Sequence, residues 1–222
     1  MPRVTSVQKA RKSPGSCGKC HKVIQIGESY CWWKFRSGGS HVRCSNPLCH
    51  PRSSDLTSSD KKSTLFRIQE DIQDYTIDIS EGDLKSLEVF KERPPFNRQD
   101  IVNLVTEIVD GWKSDLSSFL EDKANEARDV ASEYSDALSS LPDSLQSSQT
   151  GENLQEAADN IEQWADSLES SSGDAESFEI EESVWEDLKK GETDAVDILN
   201  DASEALSGFC GDADSNFPDL PF

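Results

Sequence analysis

Five of the chain's six cysteines fall between Cys17 and Cys49, with His21, His41 and His50 among them. A segment this short has too little apolar side chain to build a core of its own, so whatever holds it together has to involve those thiols. In a reducing compartment such a cluster reads as metal binding, with a disulfide framework or a reduced metal-free cluster as the competing readings. Cys17-Gly18-Lys19-Cys20 has the spacing of a zinc knuckle. Two residues between thiolates, with Gly in the turn, let both sulfurs face one ion at about 2.3 Å. Nothing in the segment suggests redox tuning, so Zn2+ is expected in preference to iron–sulfur.

The second ligand pair has two candidates. Tyr30-Cys31-Trp32-Trp33-Lys34-Phe35 is strand-like, Ser37-Gly38-Gly39-Ser40 reads as a turn, and His41-Val42-Arg43-Cys44 reads as the return strand. Cys44 then pairs either with His41, as His-x2-Cys, or with Cys49, as Cys-x4-Cys. Side chains alternate along a strand, so residues three apart face opposite ways, which favours Cys49 in the Asn46-Pro47 turn. If the strand ends before His41, the His41 set takes its place. Cys31 is expected as a packed thiol, His21 and His50 as surface side chains, and Glu28 as a turn residue.

Charge divides the chain. Residues 1–62 hold twelve Lys and Arg against three acids, a balance of +9, and the remainder carries −30 of the total −21. Two functional units are therefore expected. Residues 1–16 read as a flexible basic arm, 17–56 as the zinc-finger module, 57–95 as a linker helix region, 96–207 as an acidic helical domain and 208–222, with Cys210, as a disordered tail. No apolar run approaches the ~20 residues needed to cross a bilayer. The opening residues lack the apolar stretch of a secretory signal. A cytoplasmic protein is expected, in the host cytoplasm if viral.

The fold class predicted is mainly α, a small zinc-bound β-hairpin module followed by a long-helix bundle or coiled-coil hairpin. Leu65, Ile68, Ile72 and Tyr75 predict a helix over 58–76, with Thr57 and Asp60 as its capping box. Leu84, Leu87 and Phe90 allow a short helix ended by Pro94-Pro95. Asn97 is a good N-cap with Asp100 at N3, and Phe96 can staple onto Ile101. From Ile101 to Leu141 apolar residues recur in steps of three and four, through Val105, Ile108, Trp112, Leu116 and Leu120, until Pro142. That predicts a helix roughly 60 Å long, with Gly111 as its weak point. Partners are offered by the stripe Leu154 to Leu168, by Val184, Trp185 and Leu188 closed by Gly191, and by Ala195 to Leu206. The Ser/Gly-rich stretches 142–151 and 170–176 read as linkers.

Cys17-x2-Cys20, Gly27-Glu28, the aromatic strand and His41-x2-Cys44 are similar to the poly(ADP-ribose) polymerase type of zinc finger. That resemblance implies a Cys, Cys, His, Cys ligand set and binding to DNA ends. The run from Arg3 to Thr57 more closely resembles uncharacterised small zinc-finger proteins of phages and bacteria. The matching pieces are Lys9-Ala10-Arg11-Lys12, Cys17-Gly18-Lys19-Cys20, Trp32-Trp33-Lys34-Phe35, Val42-Arg43-Cys44 and the run from Pro51 to Thr57. This second resemblance covers about a quarter of the chain and implies a zinc fold with no established activity.

The functional expectation is a non-enzymatic zinc protein that binds nucleic acid through residues 1–62. Lys9, Arg11, Lys12, Lys34, Arg36 and Arg43 would neutralise phosphates, and Trp32 would stack on unpaired bases. In the blander reading Trp33 and Phe35 form a small core over the zinc, and Trp32 and Lys34 are merely exposed. The alternative function is a protein–protein adaptor or scaffold whose finger is purely structural. The acidic helices read as a solvated surface, a docking face for a basic partner or mimic of nucleic-acid charge, or a high-salt adaptation. Residues 97–207 are expected to self-associate or dock onto a protein partner, because the long stripe offers more apolar surface than the shorter helices obviously cover, with a monomeric hairpin as the competing reading. No Ser/His/Asp order, phosphate loop or nucleotide motif points to an enzyme.

Overall fold

In the computed structural model, which describes residues 1–36, 38–92 and 97–221, the chain divides into two units, Met1–Arg67 and Ile68–Phe222. The first is built on a three-stranded antiparallel sheet of order β1-β4-β5, from β1 (Thr5–Val7), β4 (Tyr30–Lys34) and β5 (Ser40–Cys44). A two-stranded ribbon, β2 (Gly15–Ser16) with β3 (Val23–Ile24), accompanies it. β4 and β5 form the expected hairpin, with Tyr30 opposite Cys44 and Lys34 opposite Ser40. Ser37, at the expected turn, lies outside the described residues.

Residues 1–16 are not a free arm. Thr5–Val7 adds a strand to the sheet edge, opposite Trp32 to Tyr30. Ala10 is buried, and its backbone bonds twice, its N–H to the Glu28 carbonyl at 2.9 Å and its carbonyl to the Gly27 N–H at 2.8 Å. Backbone pairing competes with the solvation of a basic segment, and here pairing takes the stretch between the charges.

α1 (Asp60–Asp74) begins two residues later than the sequence suggests. Its first free N–H groups are met by Ser59, whose Oγ accepts from Lys62 N, while Thr57 Oγ1 accepts only from Ser59 N. The cap is thus Ser59 and not Thr57. Leu65, Ile68 and Ile72 have no exposed surface, as their helical spacing predicts. The boundary between the units falls inside this helix.

The second unit is mainly α. α2 (Glu81–Glu92) starts from a capping box: Ser80 Oγ accepts from Asp83 N at 3.1 Å, and Asp83 Oδ2 accepts from Ser80 N at 3.1 Å. The Pro94-Pro95 stop and the Phe96 staple lie outside the described residues. α3 (Arg98–Ser139) is the long helix, 42 residues without interruption at Gly111, and Asn97 caps it by accepting from Gln99 N at 3.1 Å. A single turn, α4 (Asp143–Gln146), leads into α5 (Gln149–Glu176), then α6 (Glu182–Lys190) and α7 (Ala195–Ser215). Gly191 ends α6 in the left-handed conformation, φ 83°, where a side chain would also collide with the Arg98 guanidinium.

α5 returns antiparallel along α3. Ser117 meets Ser172, and eleven residues further along α3 Arg128 meets Asp166 at 2.9 Å, with Glu169 and Glu162 beside it. α7 packs on both: Ile198, Leu199 and Ala202 join Ile101, Val105 and Val109 in one core cluster, and Trp164 Nε1 on α5 donates to the Ala213 carbonyl at 2.9 Å. The last turns of α1 lie against the same bundle through Tyr75 stacked on Phe119 at 4.4 Å and Asp71 paired with Lys123 at 2.9 Å. The predicted helical bundle is therefore present, and the long stripe is covered within the chain by α5, α7 and α1. That removes the uncovered face that motivated self-association.

Two expectations for this unit are corrected. Residues 170–176 are helix and not linker: Ser171, Ser172 and Ala175 are buried, their small side chains letting α5 come close to α3. The tail is not loose. α7 runs to Ser215, Cys210 and Ala213 are buried, and Phe217 meets Trp164 edge-on at 5.0 Å. Along α3 the buried face is also turned slightly, so that Val102 and Val109 are buried while Ile108 and Trp112 lie at the cluster's margin. Among the described residues no helix is long and apolar enough to cross a membrane.

Candidate metal centre

Three local devices deliver the four clustered cysteines. Cys17 and Cys20 come from the knuckle, where Cys17 N donates to the Lys22 carbonyl at 2.8 Å and His21 N to the Cys17 carbonyl at 2.9 Å. His21 takes the left-handed conformation, φ 60°, which turns the chain back. Cys44 closes β5. Cys49 ends a 3-10 turn, Pro47–Cys49, that Asn46 organises: its side chain accepts from Leu48 N at 3.0 Å and its carbonyl from Cys49 N at 2.8 Å.

These devices bring the sulfurs of Cys17, Cys20, Cys44 and Cys49 within 4.8 Å of one another, with Cys20 and Cys44 at 3.7 Å. Four sulfurs about 2.3 Å from a tetrahedral centre would stand about 3.8 Å apart, so the set has the size of a four-thiolate metal site. Cys17, Cys44 and Cys49 are buried together with Ile24, while Cys20 opens to solvent. A site closed by four protein ligands holds a metal for structure rather than for catalysis.

The thiols are electrostatically unequal. Burial pushes Cys17 up, but backbone N–H groups of Cys20, Cys44 and Lys19 aimed at its sulfur outweigh that and hold it below the ordinary thiol range. Cys49 is pushed up by burial and by the three neighbouring sulfurs. Several thiolates crowded this closely repel one another unless a cation sits among them.

His41 is not part of this group. It lies on the opposite face of the sheet, its ring stacked on Trp33 at 5.3 Å and edge-on to Phe35 at 5.4 Å. The alternation along β5 that argued for Cys49 is what turns His41 away from Cys44. The same alternation corrects the expected core. Tyr30 and Val42 pack beside the cysteines, whereas Trp33, 1% exposed, is buried on the other face and so is not the lid over the metal. Cys31 is a buried strand thiol as expected, raised above its ordinary value by burial.

The basic residues separate into two kinds. Lys9, Arg11, Lys12, Lys34 and Arg36 are exposed, and Trp32 is half-buried. Arg43 is structural. Its side chain is only 12% exposed, its guanidinium donates to Asp55 Oδ1 at 2.8 Å, and it lies 5.4 Å over the Trp33 ring. Asp55 also accepts from Arg52 N at 3.2 Å, so this pair ties residues 52–55 to β5. Sequence reasoning missed that role; Asp55, an acid in a basic segment, was the available signal. Glu28 is the turn residue expected, accepting from Gln25 N at 2.8 Å and from Lys22 at 2.9 Å. No family model, curated protein or solved structure matches the chain.

Proposed function

We propose that residues 1–67 form a zinc-stabilised, non-enzymatic module that binds nucleic acid through its basic surface, joined to an acidic helical unit whose negative charge suits a basic protein partner. The observation that carries this reading is the convergence of four cysteine sulfurs within 4.8 Å inside a unit whose exposed charged side chains are nearly all basic. Four thiolates favour zinc among abundant cellular divalent metals, and a closed tetrahedral set suits a structural ion. The sheet edge and knuckle then hold Lys9, Arg11, Lys12, Lys34 and Arg36 on a fixed frame, where they act on phosphates.

A gel-shift series with the zinc-loaded full chain and short DNA and RNA probes tests the reading. Binding that weakens steeply as salt rises supports it; no binding at low salt overturns it. One observation favours the adaptor alternative, in which the module docks on a protein: Ile26 and Leu48 are 70% and 77% exposed, on segments that flank the cysteines. A pull-down beside the gel shift, with Ile26→Ser and Leu48→Ser variants, separates the two.

A further inference from the structure

The first unit carries an open groove of about 520 Å3 away from the cysteines. One wall is the end of β4 and its continuation, Lys34, Phe35 and Arg36; the other is the stretch entering α1, with Lys62 and Phe66. Among the described residues that line it none is acidic. Lys34 and Arg36 are exposed at its rim, while Phe35 and Phe66 are half-buried within it.

Cations at the rim of a concavity with aromatic rings inside fit a ligand that is anionic at one end and flat and apolar at the other. A duplex hides its base faces in the stack and offers a concave site only phosphate. An unpaired nucleotide offers both, and bases stack readily on aromatic side chains. The volume lies within the range of sites that enclose small organic ligands.

We propose that this groove seats an unpaired nucleotide of a single strand, its phosphodiester against Lys34 and Arg36 and its base against Phe35 and Phe66. The proposal rests on the nucleic-acid reading above and narrows it to single strands and to one place on the unit.

The test uses the zinc-loaded full chain, fluorescence polarisation, and three probes: an oligo(dT) strand, the same sequence as a duplex with oligo(dA), and an abasic strand of equal charge. The strand is expected to bind at least tenfold more tightly than the duplex or the abasic strand. Lys34→Gln with Arg36→Gln should weaken strand binding about tenfold and lower the salt slope by about 1.4, the share of two phosphate contacts on a single strand. Lys85→Gln with Lys190→Gln removes the same charge at exposed positions outside this unit and should change affinity less than threefold. All four side chains are exposed, so unaltered zinc content and circular dichroism will show that each variant is folded. Equal losses in both double variants, or equal affinity for strand and abasic probe, overturn the groove while the nucleic-acid reading stands. No binding of any probe by the unaltered chain at low salt overturns both.

Discussion

At the scale of single residues, Gly18 shows how closely the knuckle and the sheet are fitted. Its N–H donates to the Val42 carbonyl at 2.9 Å, and a Cβ there would run into the Arg43 guanidinium. Arg43 cannot swing aside without leaving Asp55 and the Trp33 ring. Gly18→Ala is expected to cost about 1–2 kcal/mol in a melt of the metal-loaded protein, whereas Gly39→Ala, whose Cβ would meet nothing within 4 Å, should cost less than about 0.5 kcal/mol. Equal melting temperatures for the two would contradict this role for Arg43. Cys210 makes a second prediction. Burial pushes its thiol up to about 11, so the folded state favours the neutral form. Its contribution to stability is intact below the ordinary thiol range and is lost as pH rises from that range toward the raised value. Cys210 should therefore resist iodoacetamide at pH 8 in the native protein and react on unfolding, as peptide mapping would show; alkylation at the rate of a free cysteine would oppose it. The knuckle cysteines were readable because their spacing is itself the geometry of the site. The fourth cysteine of the cluster was readable only through strand alternation, and Arg43 was misread because it was counted with the phosphate-binding cations, the lone acid Asp55 being the one hint of its partner.

At the scale of elements, the errors share one physical cause. Composition measures what a segment could do in water, and packing decides otherwise when a neighbour supplies a surface. Thr5–Val7 reads as part of a charged arm, yet it finds the open edge of β4. Ser171 and Ser172 read as linker, yet small side chains suit a close helix contact, and Ser172 Oγ reaches the Ser117 carbonyl at 2.9 Å. The long helices were readable because their apolar period and the Asn97 cap are local signals. The tail was not, since its place depends on Trp164, some fifty residues away. Ending the chain after residue 207 would remove Cys210, Ala213 and Phe217 and leave the Trp164 indole without its acceptor. An unsatisfied buried donor costs about 1–3 kcal/mol, and lost packing adds to it. That truncation should lower the urea midpoint clearly, and Trp164→Phe in the full chain should lower it less. A truncated chain as stable as the full one would mean that α7 ends, energetically, at Leu206.

At the scale of the whole molecule, the two units are stabilised by different means. The second buries Val105, Leu116, Leu120, Ile161, Leu168 and Leu199 completely and has its own core. The first buries little beyond Ile24, Trp33 and the cysteines around its sheet, and on the proposed reading it depends on a metal held by the four sulfurs. A chelator should therefore abolish the near-ultraviolet signal of Trp32 and Trp33 while leaving most of the helical signal at 222 nm. Acid should act in the same direction, because protons compete with the metal for thiolates. The most direct measurement of the central claim is metal content, by mass spectrometry of the purified full chain and of two variants. About one zinc per chain is expected in the unaltered protein and in His41→Ala, with most of it lost in Cys49→Ser. A metal-free protein that had never met a chelator, or zinc kept by Cys49→Ser and lost by His41→Ala, would contradict it.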